Sequence, residues 1–290
     1  MLRKYFKEDF HYIIQYEPKG TAHGLWFAEE FINEEKFILI LGDNFFDCNI
    51  REFIKKFQFE DTNCKILLKE VEEPEKFKVA YIGNGRIIDL EDKPKMAFSN
   101  WAVTGLYALD KNIFKACKEI EPSKGGKYEI TDAIKWLLQK GCSVGYEKLN
   151  GNWRDIDNPS DLIDQNIDIL SSIEENIVGE VVNSHITGKV ILEEGSAIYN
   201  STIRGPLVVG ENTIIKNSYI GPYTSIGNRV SIDRASLENS IVLDGCNIFG
   251  VEDTIDSSII GEGSIIWGSK GMKKIFRIVV GRNSKIYLNM

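Results

Sequence analysis

Residues 37–47 read FILILGDNFFD, and this stretch decides the fold of the first part of the chain. Its opening run is bulky and apolar without polar alternation, which is typical of a strand buried on both faces in a parallel sheet. Gly42 ends the run and places Asp43 and Asn44 at the carboxyl end of the strand. Open α/β sheets bind ligands at that edge, so Asp43 is a candidate ligand for a divalent cation, although a plain strand-to-loop turn explains the same residues.

The composition favours a globular protein without a surface for nucleic acid or anionic membranes. The chain has 290 residues, 43% of them hydrophobic, and a formal net charge of −8 with scattered basic residues. It shows no signal peptide and no apolar run near the roughly 18 residues of a membrane span. The five cysteines are odd in number and lack CxxC spacing, which predicts a reduced, cytoplasmic protein.

Strand and helix patterns alternate on both sides of the quoted stretch. We expect a strand at 12–16, a helix at 22–31 and, beyond a further helix, a strand at 65–71. This succession predicts a parallel sheet covered by helices on both faces. Gly-Asn-Gly at 83–85 predicts a hairpin. Further helices are expected at 113–120, 130–140 and 160–173.

A repeat of 17 residues replaces helical periodicity after Glu174. Rows aligned at Asn-Ser begin at Asn183, Asn200 and Asn217, and we expect the repeat to resume at Asn239 after a slip of five residues. The aliphatic positions are Ile186, Leu192, Ile198, Ile203, Val209, Ile215, Ile220, Ile226 and Ile232. This spacing predicts a parallel β-helix of hexapeptide repeats. His185 could support the acyl transfer that some β-helices perform, but an exposed or structural histidine is the simpler interpretation.

Six short motifs in order resemble the sugar-1-phosphate nucleotidyltransferases, and more narrowly the long form of glucose-1-phosphate thymidylyltransferase. They are QYEPKGTAHG at 15–24, LGDN at 41–44, DKPK at 92–95, AVTGLY at 102–107, GKYEITDAI at 126–134 and WRDIDNPSDL at 153–162. The resemblance implies an α/β fold: a Rossmann-like nucleotidyltransferase domain at 1–174, incomplete at its N-terminus, followed by a left-handed β-helix at 175–290.

The activity that the resemblance implies joins dTTP or UTP to glucose-1-phosphate or a related sugar phosphate and releases pyrophosphate. Asp43 and Asp155 would hold one Mg²⁺ between the two anionic substrates, and Lys93 would bind the sugar phosphate; all three are expected to be catalytic. We expect no general base, because the attacking phosphate oxygen is already ionised. Alternatively, Lys93 belongs to a charged surface turn and has no role in binding.

Binding roles also follow from the resemblance. Gln15 would read the pyrimidine edge with its amide, and Gly20 would allow close backbone approach to the nucleotide. The sugar pocket would be lined by Asn44, Asp92, Val103 and Tyr107. On their residue types alone, Val103 and Tyr107 would be core strand residues. Trp153 could pack on the nucleotide side of the site or fill the domain core.

The sequence departs from the family pattern at several positions. Lys78 stands where the family has a glycine near the sugar, Asp92 replaces a glutamate, and Gly125 replaces an arginine. The family also opens with a strand, a glycine-rich phosphate-binding loop and a second strand, roughly sixty residues that this sequence lacks. We therefore expect a negligible rate from this chain alone, since the loop would supply donors to the triphosphate.

A second function class remains open on the sequence. The β-helix could drive assembly of a homo-oligomer, with the incomplete domain at most sensing a nucleotide-sugar, in a scaffold without catalysis. Retention of Gln15, Asp43, Lys93 and Asp155 favours an enzyme, whereas the missing loop favours the scaffold.

Overall fold

The architecture comes from a computed structural model that describes residues 10–33, 35–123, 125–251, 253–268 and 275–288. Contacts divide the chain into two compact units, Met1–Asp155 and Ile156–Met290, each with its own hydrophobic core. The domain boundary predicted from the sequence lies between residues 174 and 175. The predicted division and the division by contacts therefore differ in the unit to which one helix belongs. Within the described ranges, no helix is long and apolar enough to cross a membrane.

The first unit contains helices and strands in alternation along the residues that the structure describes. The helices are α1 (Thr21–Ala28), α2 (Ile50–Phe59), α3 (Asn112–Glu119) and α4 (Ile130–Gln139). The strands are β1 (Lys36–Ile40), β2 (Asn44–Phe46), β3 (Cys64–Glu70), β4 (Lys78–Gly83), β5 (Arg86–Asp92), β6 (Trp101–Asp110), β7 (Val144–Lys148) and β8 (Trp153–Asp155). A short 3₁₀ turn at Pro74–Lys76 precedes β4.

Six of these strands form one mixed sheet. Its order is β5-β4-β6-β3-β7, and β1 pairs with the C-terminal half of β6. Among the described strands of this sheet only β3 and β7 run parallel, and the other pairings are antiparallel. The predicted parallel sheet is therefore wrong. An unbroken apolar run predicts that a strand is buried but not whether it runs parallel to its neighbours. Here β6, at the centre of the sheet, runs antiparallel to β1, β3 and β4.

The strand predicted from the quoted stretch is β1, and its burial is less complete than expected. Its first four residues are partly exposed, and Ile40 is 48% exposed. Among the described residues β1 pairs on one side only, with β6, so it does not lie in the middle of the sheet.

The expected strand at 12–16 is wrong, since this segment is irregular. It lies against the start of α1, where Gln15 Nε2 donates to the carbonyl of Gly20 at 3.2 Å. The helix that follows ends at Ala28, three residues earlier than predicted. The hairpin at 83–85 is confirmed: β4 and β5 pair antiparallel, and both central residues have positive φ, 51° at Asn84 and 74° at Gly85.

Strand β6 is the centre of the first unit. Tyr107 and Leu109 pack in the core that contains residues of α1, α3 and α4. Leu106 and Ala108 pack in a second core with Phe53 of α2. Because successive strand residues face opposite sides, helices cover both faces of the sheet, as the sequence predicts.

The second unit contains one helix and many short strands in its described residues. The helix is α5 (Pro159–Ser171). The strands are β9 (Asn176–Ile177), β10 (Glu180–Val182), β11 (His185–Thr187), β12 (Val190–Leu192), β13 (Ala197–Tyr199), β14 (Thr202–Arg204), β15 (Leu207–Val209), β16 (Ile214–Lys216), β17 (Tyr219–Ile220), β18 (Thr224–Ile226), β19 (Ser231–Asp233), β20 (Ser236–Glu238), β21 (Ile241–Val242), β22 (Asn247–Phe249), β23 (Thr254–Asp256), β24 (Ile259–Ile260), β25 (Ile265–Gly268), β26 (Ile275–Phe276), β27 (Val279–Val280) and β28 (Lys285–Leu288).

These strands form three parallel sheets around one aliphatic core, which confirms the β-helix. The sheets run β10-β13-β16-β19-β22-β25-β28, β11-β14-β17-β20-β23-β26 and β9-β12-β15-β18-β21-β24-β27, an arrangement of about six turns that is consistent with a left-handed β-helix. Ile186, Ile203 and Ile220 are register partners on one face. The predicted aliphatic positions are buried, except that Ile186 is only partly so.

The predicted slip of five residues is wrong. Leu237 pairs with Ile220 at the regular spacing, and the next corner is one residue shorter, so Val242 pairs with Ile226. Asn239 therefore stands at a different corner of the β-helix from Asn217. The stacked strands stay in register. Only the Asn-Ser motif changes its place, from one corner of the coil to the next.

The Asn-Ser motif has a backbone explanation. Asn183, Asn200 and Asn217 have φ of 49°, 49° and 50°, the left-handed region that asparagine tolerates better than most residues. The following serines link neighbouring coils, since the amide of Ser201 donates to Ser184 Oγ at 3.0 Å and the amide of Ser218 donates to Ser201 Oγ at 3.0 Å. Each coil thus has an asparagine whose backbone forms the corner and a serine hydroxyl that accepts a hydrogen bond from an amide of the next coil.

We expect Ile220→Asp to destabilise the β-helix by several kcal/mol, about 4 or more, because it buries an unpaired charge. Ile220 is fully buried, whereas Ile214 is 40% exposed on an adjacent sheet. Ile214→Asp is therefore the matched control and should change the free energy of unfolding by less than about 1 kcal/mol. Denaturant unfolding followed by circular dichroism measures both, and equal effects would contradict the register described here.

Candidate active site

The candidate site is built on an irregularity in β6. Ile66 pairs with Tyr107 and Leu68 with Val103, so the single residue between them on β3 faces three residues of β6, 104–106. Gly105 lies in this bulge with φ of 77°, a conformation that favours glycine. The Thr104 side chain closes the bulge by donating to the carbonyl of Leu67 at 2.8 Å.

The bulge turns two backbone carbonyls of β6 toward the loops that carry the candidate metal ligands. Gly105 O accepts from the amide of Leu41 at 2.9 Å, which fixes the start of the LGDN loop. Thr104 O accepts from Trp153 Nε1 at 3.1 Å, which fixes β8. Loops that are far apart in sequence are thus bound to adjacent residues of one strand.

Asp43 and Asp155 meet through the side chain of Asn44. Strands β2 and β8 pair antiparallel with Asn44 opposite Asp155. Asn44 Nδ2 donates to Asp43 Oδ1 at 2.8 Å and to Asp155 Oδ1 at 3.1 Å. Asn44 Oδ1 in turn accepts from Trp153 Nε1 at 2.7 Å. The structure therefore brings together the two carboxylates that the sequence singles out, which are 112 positions apart.

The two carboxylates suit a hard divalent cation. No cluster of three or more His, Cys, Asp or Glu side chains with metal-binding geometry occurs among the described residues. Two carboxylates alone fit a cation such as Mg²⁺, which binds through one or two carboxylates and completes its shell with water and substrate phosphates. Both belong to the first unit, and Asp43 is exposed at the end of its loop.

Lys93 is held in its turn by the backbone. Its φ is 44°, and its amide donates to the carbonyl of Phe77 at 3.0 Å. The Phe77 ring contacts the Trp153 ring at 5.2 Å between centroids, which connects the lysine turn to the strand that carries Asp155. The Lys93 side chain is exposed, as is that of Asp92. A side chain displayed in this way can reach an anionic ligand.

A charged cluster adjoins the lysine turn. Lys78 Nζ contacts Glu129 Oε2 at 2.9 Å, with both side chains largely buried at 27% and 22% exposure. Lys78 is the register partner of Asp92. Burial raises the pKa of Asp132 in the first turn of α4, while Lys135 lowers it in part. The lysine that replaces the family glycine is therefore held by a carboxylate.

Gln15 and Gly20 lie at the start of α1. Gln15 Nε2 contacts His23 Nδ1 at 2.7 Å in addition to its bond with Gly20 O. A Cβ on Gly20, where φ is 102°, would stand 2.4 Å from the carbonyl oxygen of Tyr128. Packing against residue 128 thus accounts for this glycine without a ligand.

Val103 and Tyr107 lie in the core of the first unit, at 7% and 1% exposure. Burial also raises the pKa of Tyr107. These placements agree with the core interpretation that the residue types allow. His185 is exposed at the start of β11, with no side-chain hydrogen bond among the described contacts.

Sequence reasoning missed the residues that organise the site. It gave Asn44 a sugar contact and Trp153 a packing role, and it did not consider Gly105 or Thr104. The signal was present in AVTGLYALD, where a glycine interrupts an otherwise ideal strand and marks a bulge.

Comparison with known proteins identifies the class. Residues 3–172 match the family described as nucleotidyl transferase, and the chain belongs to that family. It is a sugar-1-phosphate nucleotidyltransferase, an enzyme of nucleotide-sugar synthesis.

Two of its relatives are enzymes of streptomycetes. A glucose-1-phosphate thymidylyltransferase of Streptomyces griseus is 34% identical over 96% of this chain and 79% of its own length. One from Streptomyces antibioticus is 35% identical over 97% and 80%. The low-salt glycan biosynthesis nucleotidyltransferase Agl11 of Haloferax volcanii is 36% identical over 96% and 79%.

We expect Gly105→Ala to destabilise the first unit by about 1–3 kcal/mol, because a non-glycine residue at this φ is strained. Its Cβ would also stand 3.0 Å from Asn44 Cγ. Gly145→Ala in β7 is the matched control, since its Cβ would meet no atom closer than 3.6 Å. Urea unfolding followed by tryptophan fluorescence compares the two, and equal stability of both variants would contradict the strained bulge.

Proposed function

We propose that the protein transfers a nucleotidyl group from dTTP or UTP to glucose-1-phosphate, or a related sugar 1-phosphate, and releases pyrophosphate. The observation that carries the proposal is the convergence of Asp43 and Asp155 on Asn44. The contact between Phe77 and Trp153 connects this group to the Lys93 turn. The names of the two Streptomyces relatives support the choice of substrates.

In this proposal Asp43 and Asp155 hold one Mg²⁺. When bound, the ion neutralises the phosphates and aligns the displacement. The protein contributes two carboxylates already gathered at one point, so little reorganisation is needed. No side chain has to remove a proton, because a sugar phosphate reacts through an oxygen that is already ionised.

Lys93 binds the sugar phosphate in this proposal. Its exposed ammonium lies on a turn whose backbone is tied to Phe77, and Phe77 packs on Trp153 beside the metal ligands. A fixed cation near the reacting phosphates stabilises the charge that shifts between them in the transition state.

The pyrimidine base of the nucleotide is assigned to the segment before α1. The Gln15 amide can donate to and accept from a pyrimidine, in exchange for its present contact with His23. Gly20 keeps the backbone close to Tyr128 and so shapes this segment.

The sugar is assigned to the side of the site formed by Asp92, Asn44, Val103 and Tyr107. Lys78 and Glu129 adjoin it, and their ion pair offers both a donor and an acceptor to sugar hydroxyls. Since Val103 and Tyr107 are buried, they would act by shaping the floor of the pocket.

We further propose a reducing, cytoplasmic location and a homo-oligomer. The absence of disulfides among the five cysteines supports the first. A β-helix, which stacks repeats and has open ends, supports the second.

Pyrophosphate release from dTTP, UTP and other nucleoside triphosphates, each with glucose-1-phosphate and Mg²⁺, tests this function. Because we expect a negligible rate from this chain alone, the assay also supplies the family's opening segment as a fusion or a separate peptide. With that segment we expect release with a pyrimidine nucleotide and a matching nucleotide-sugar product. Asp43→Asn, Asp155→Asn and Lys93→Met should each lower the rate by about 10²-fold or more, the usual cost of losing a charge-stabilising group.

Matched controls are available for these variants. Asp47→Asn changes an exposed carboxylate just after β2, and Lys95→Met changes an exposed lysine two residues after Lys93; each should leave the rate within about twofold. Absence of pyrophosphate release with every nucleotide tried in the presence of the opening segment, or equal losses in the controls, would refute the proposed function.

A further inference from the structure

The orientation of the Asn44 amide is determined from both ends. Its oxygen accepts from Trp153 Nε1, and its nitrogen donates to both aspartates. If the amide were flipped, its NH₂ would face the indole N–H and its oxygen would face two carboxylates. Both contacts would be repulsive, since an indole can only donate and an ionised carboxylate can only accept.

This arrangement uses both hydrogens of the amide. An NH₂ group carries two hydrogens, and each can bind one of the two aspartate oxygens, which lie 2.8 and 3.1 Å from the nitrogen. The amide therefore links one oxygen of each carboxylate through a single nitrogen. Two oxygens bound directly to one Mg²⁺ lie at most about 4.2 Å apart, because each Mg–O distance is about 2.1 Å, so a site for one ion requires carboxylates that are held close together.

We propose that Asn44 is a positioning residue that holds the two candidate metal ligands together, and that Trp153 is the residue that orients it. This inference rests on the proposed metal site of Asp43 and Asp155. The amide partly balances the two negative charges and keeps the carboxylates paired before the ion binds. It stays hydrogen-bonded to both aspartates when the ion is bound, and the bond from Trp153 keeps the amide oriented toward them.

The surroundings of Asn44 leave it little freedom. Its side chain lies against Gly105, where even a methyl group would stand 3.0 Å from Asn44 Cγ. Trp153 Nε1 is shared between Asn44 Oδ1 and Thr104 O, so the indole is anchored to the β6 bulge. The glycine thus provides the space in which an asparagine can sit between two aspartates.

The test measures Mn²⁺ affinity by electron paramagnetic resonance, without substrate. Asn44→Leu removes the amide at similar size, and Trp153→Phe removes only the orienting N–H while keeping a ring beside Phe77. We expect each to weaken Mn²⁺ binding by about 10-fold or more, the usual effect of losing an outer-shell partner of a metal ligand. Trp267→Phe, in the other unit, is the control and should leave the affinity unchanged.

A second measurement distinguishes positioning from loss of structure. In ¹⁵N-labelled protein, the indole resonance that disappears in Trp153→Phe belongs to Trp153. We expect Mg²⁺ to shift this resonance in the wild-type protein and not in Asn44→Leu. If Asn44→Leu does not fold, as judged by circular dichroism, Trp153→Phe decides the matter alone.

The outcomes separate this inference from the proposed function. Wild-type binding of Mn²⁺ with equal or tighter binding by both variants would overturn the role of Asn44 and leave the metal site standing. No binding of Mn²⁺ by the wild-type protein would overturn both. The inference would also be overturned if saturating Mg²⁺ did not shift the Trp153 indole resonance of the wild-type protein.

Discussion

The bulge at Gly105 is the constraint on which the site depends. In a regular β6 consecutive carbonyls would point to opposite sides, so only one of the Thr104 and Gly105 carbonyls would face away from β3. The positive φ of Gly105 turns two consecutive carbonyls outward, where they accept from Leu41 and from the indole of Trp153. The same residue has no side chain, so Asn44 can pack against it. One irregular residue in the most buried strand therefore fixes the position of two distant carboxylates.

The charges around the site are arranged in compensating groups. Asp43 and Asp155 share the Asn44 amide, while Lys78 is paired with Glu129. Lys93, in contrast, has an exposed side chain and a fixed backbone. Among the described residues Lys93 has no ion pair, so under the proposed function none has to be broken before its ammonium meets an anionic substrate. The paired charges thus stabilise the structure, and the accessible one is the candidate for the ligand.

The sequence predicted the β-helix well because burial there repeats with a fixed spacing, as in Ile203, Ile220 and Leu237. It also singled out Asp43 and Asp155, which both bind the Asn44 amide in the structure, while the role of Lys93 stays a prediction. It failed on strand direction, because the apolar run of β1 is the same in either orientation. It could not reveal the role of Asn44, which depends on a pairing between β2 and β8 that no local pattern encodes.

The corners of the β-helix absorb changes in chain length. The spacing between stacked interior residues is 17 from Ile220 to Leu237, 16 from Ile226 to Val242 and 18 from Val242 to Ile260, yet all remain paired and buried. Within a strand a single added residue would turn an interior side chain outward, because alternate residues face opposite sides. Insertions are therefore tolerated at the corners, which recur at regular intervals along the sequence. Strands, in contrast, can be added or removed only by whole coils.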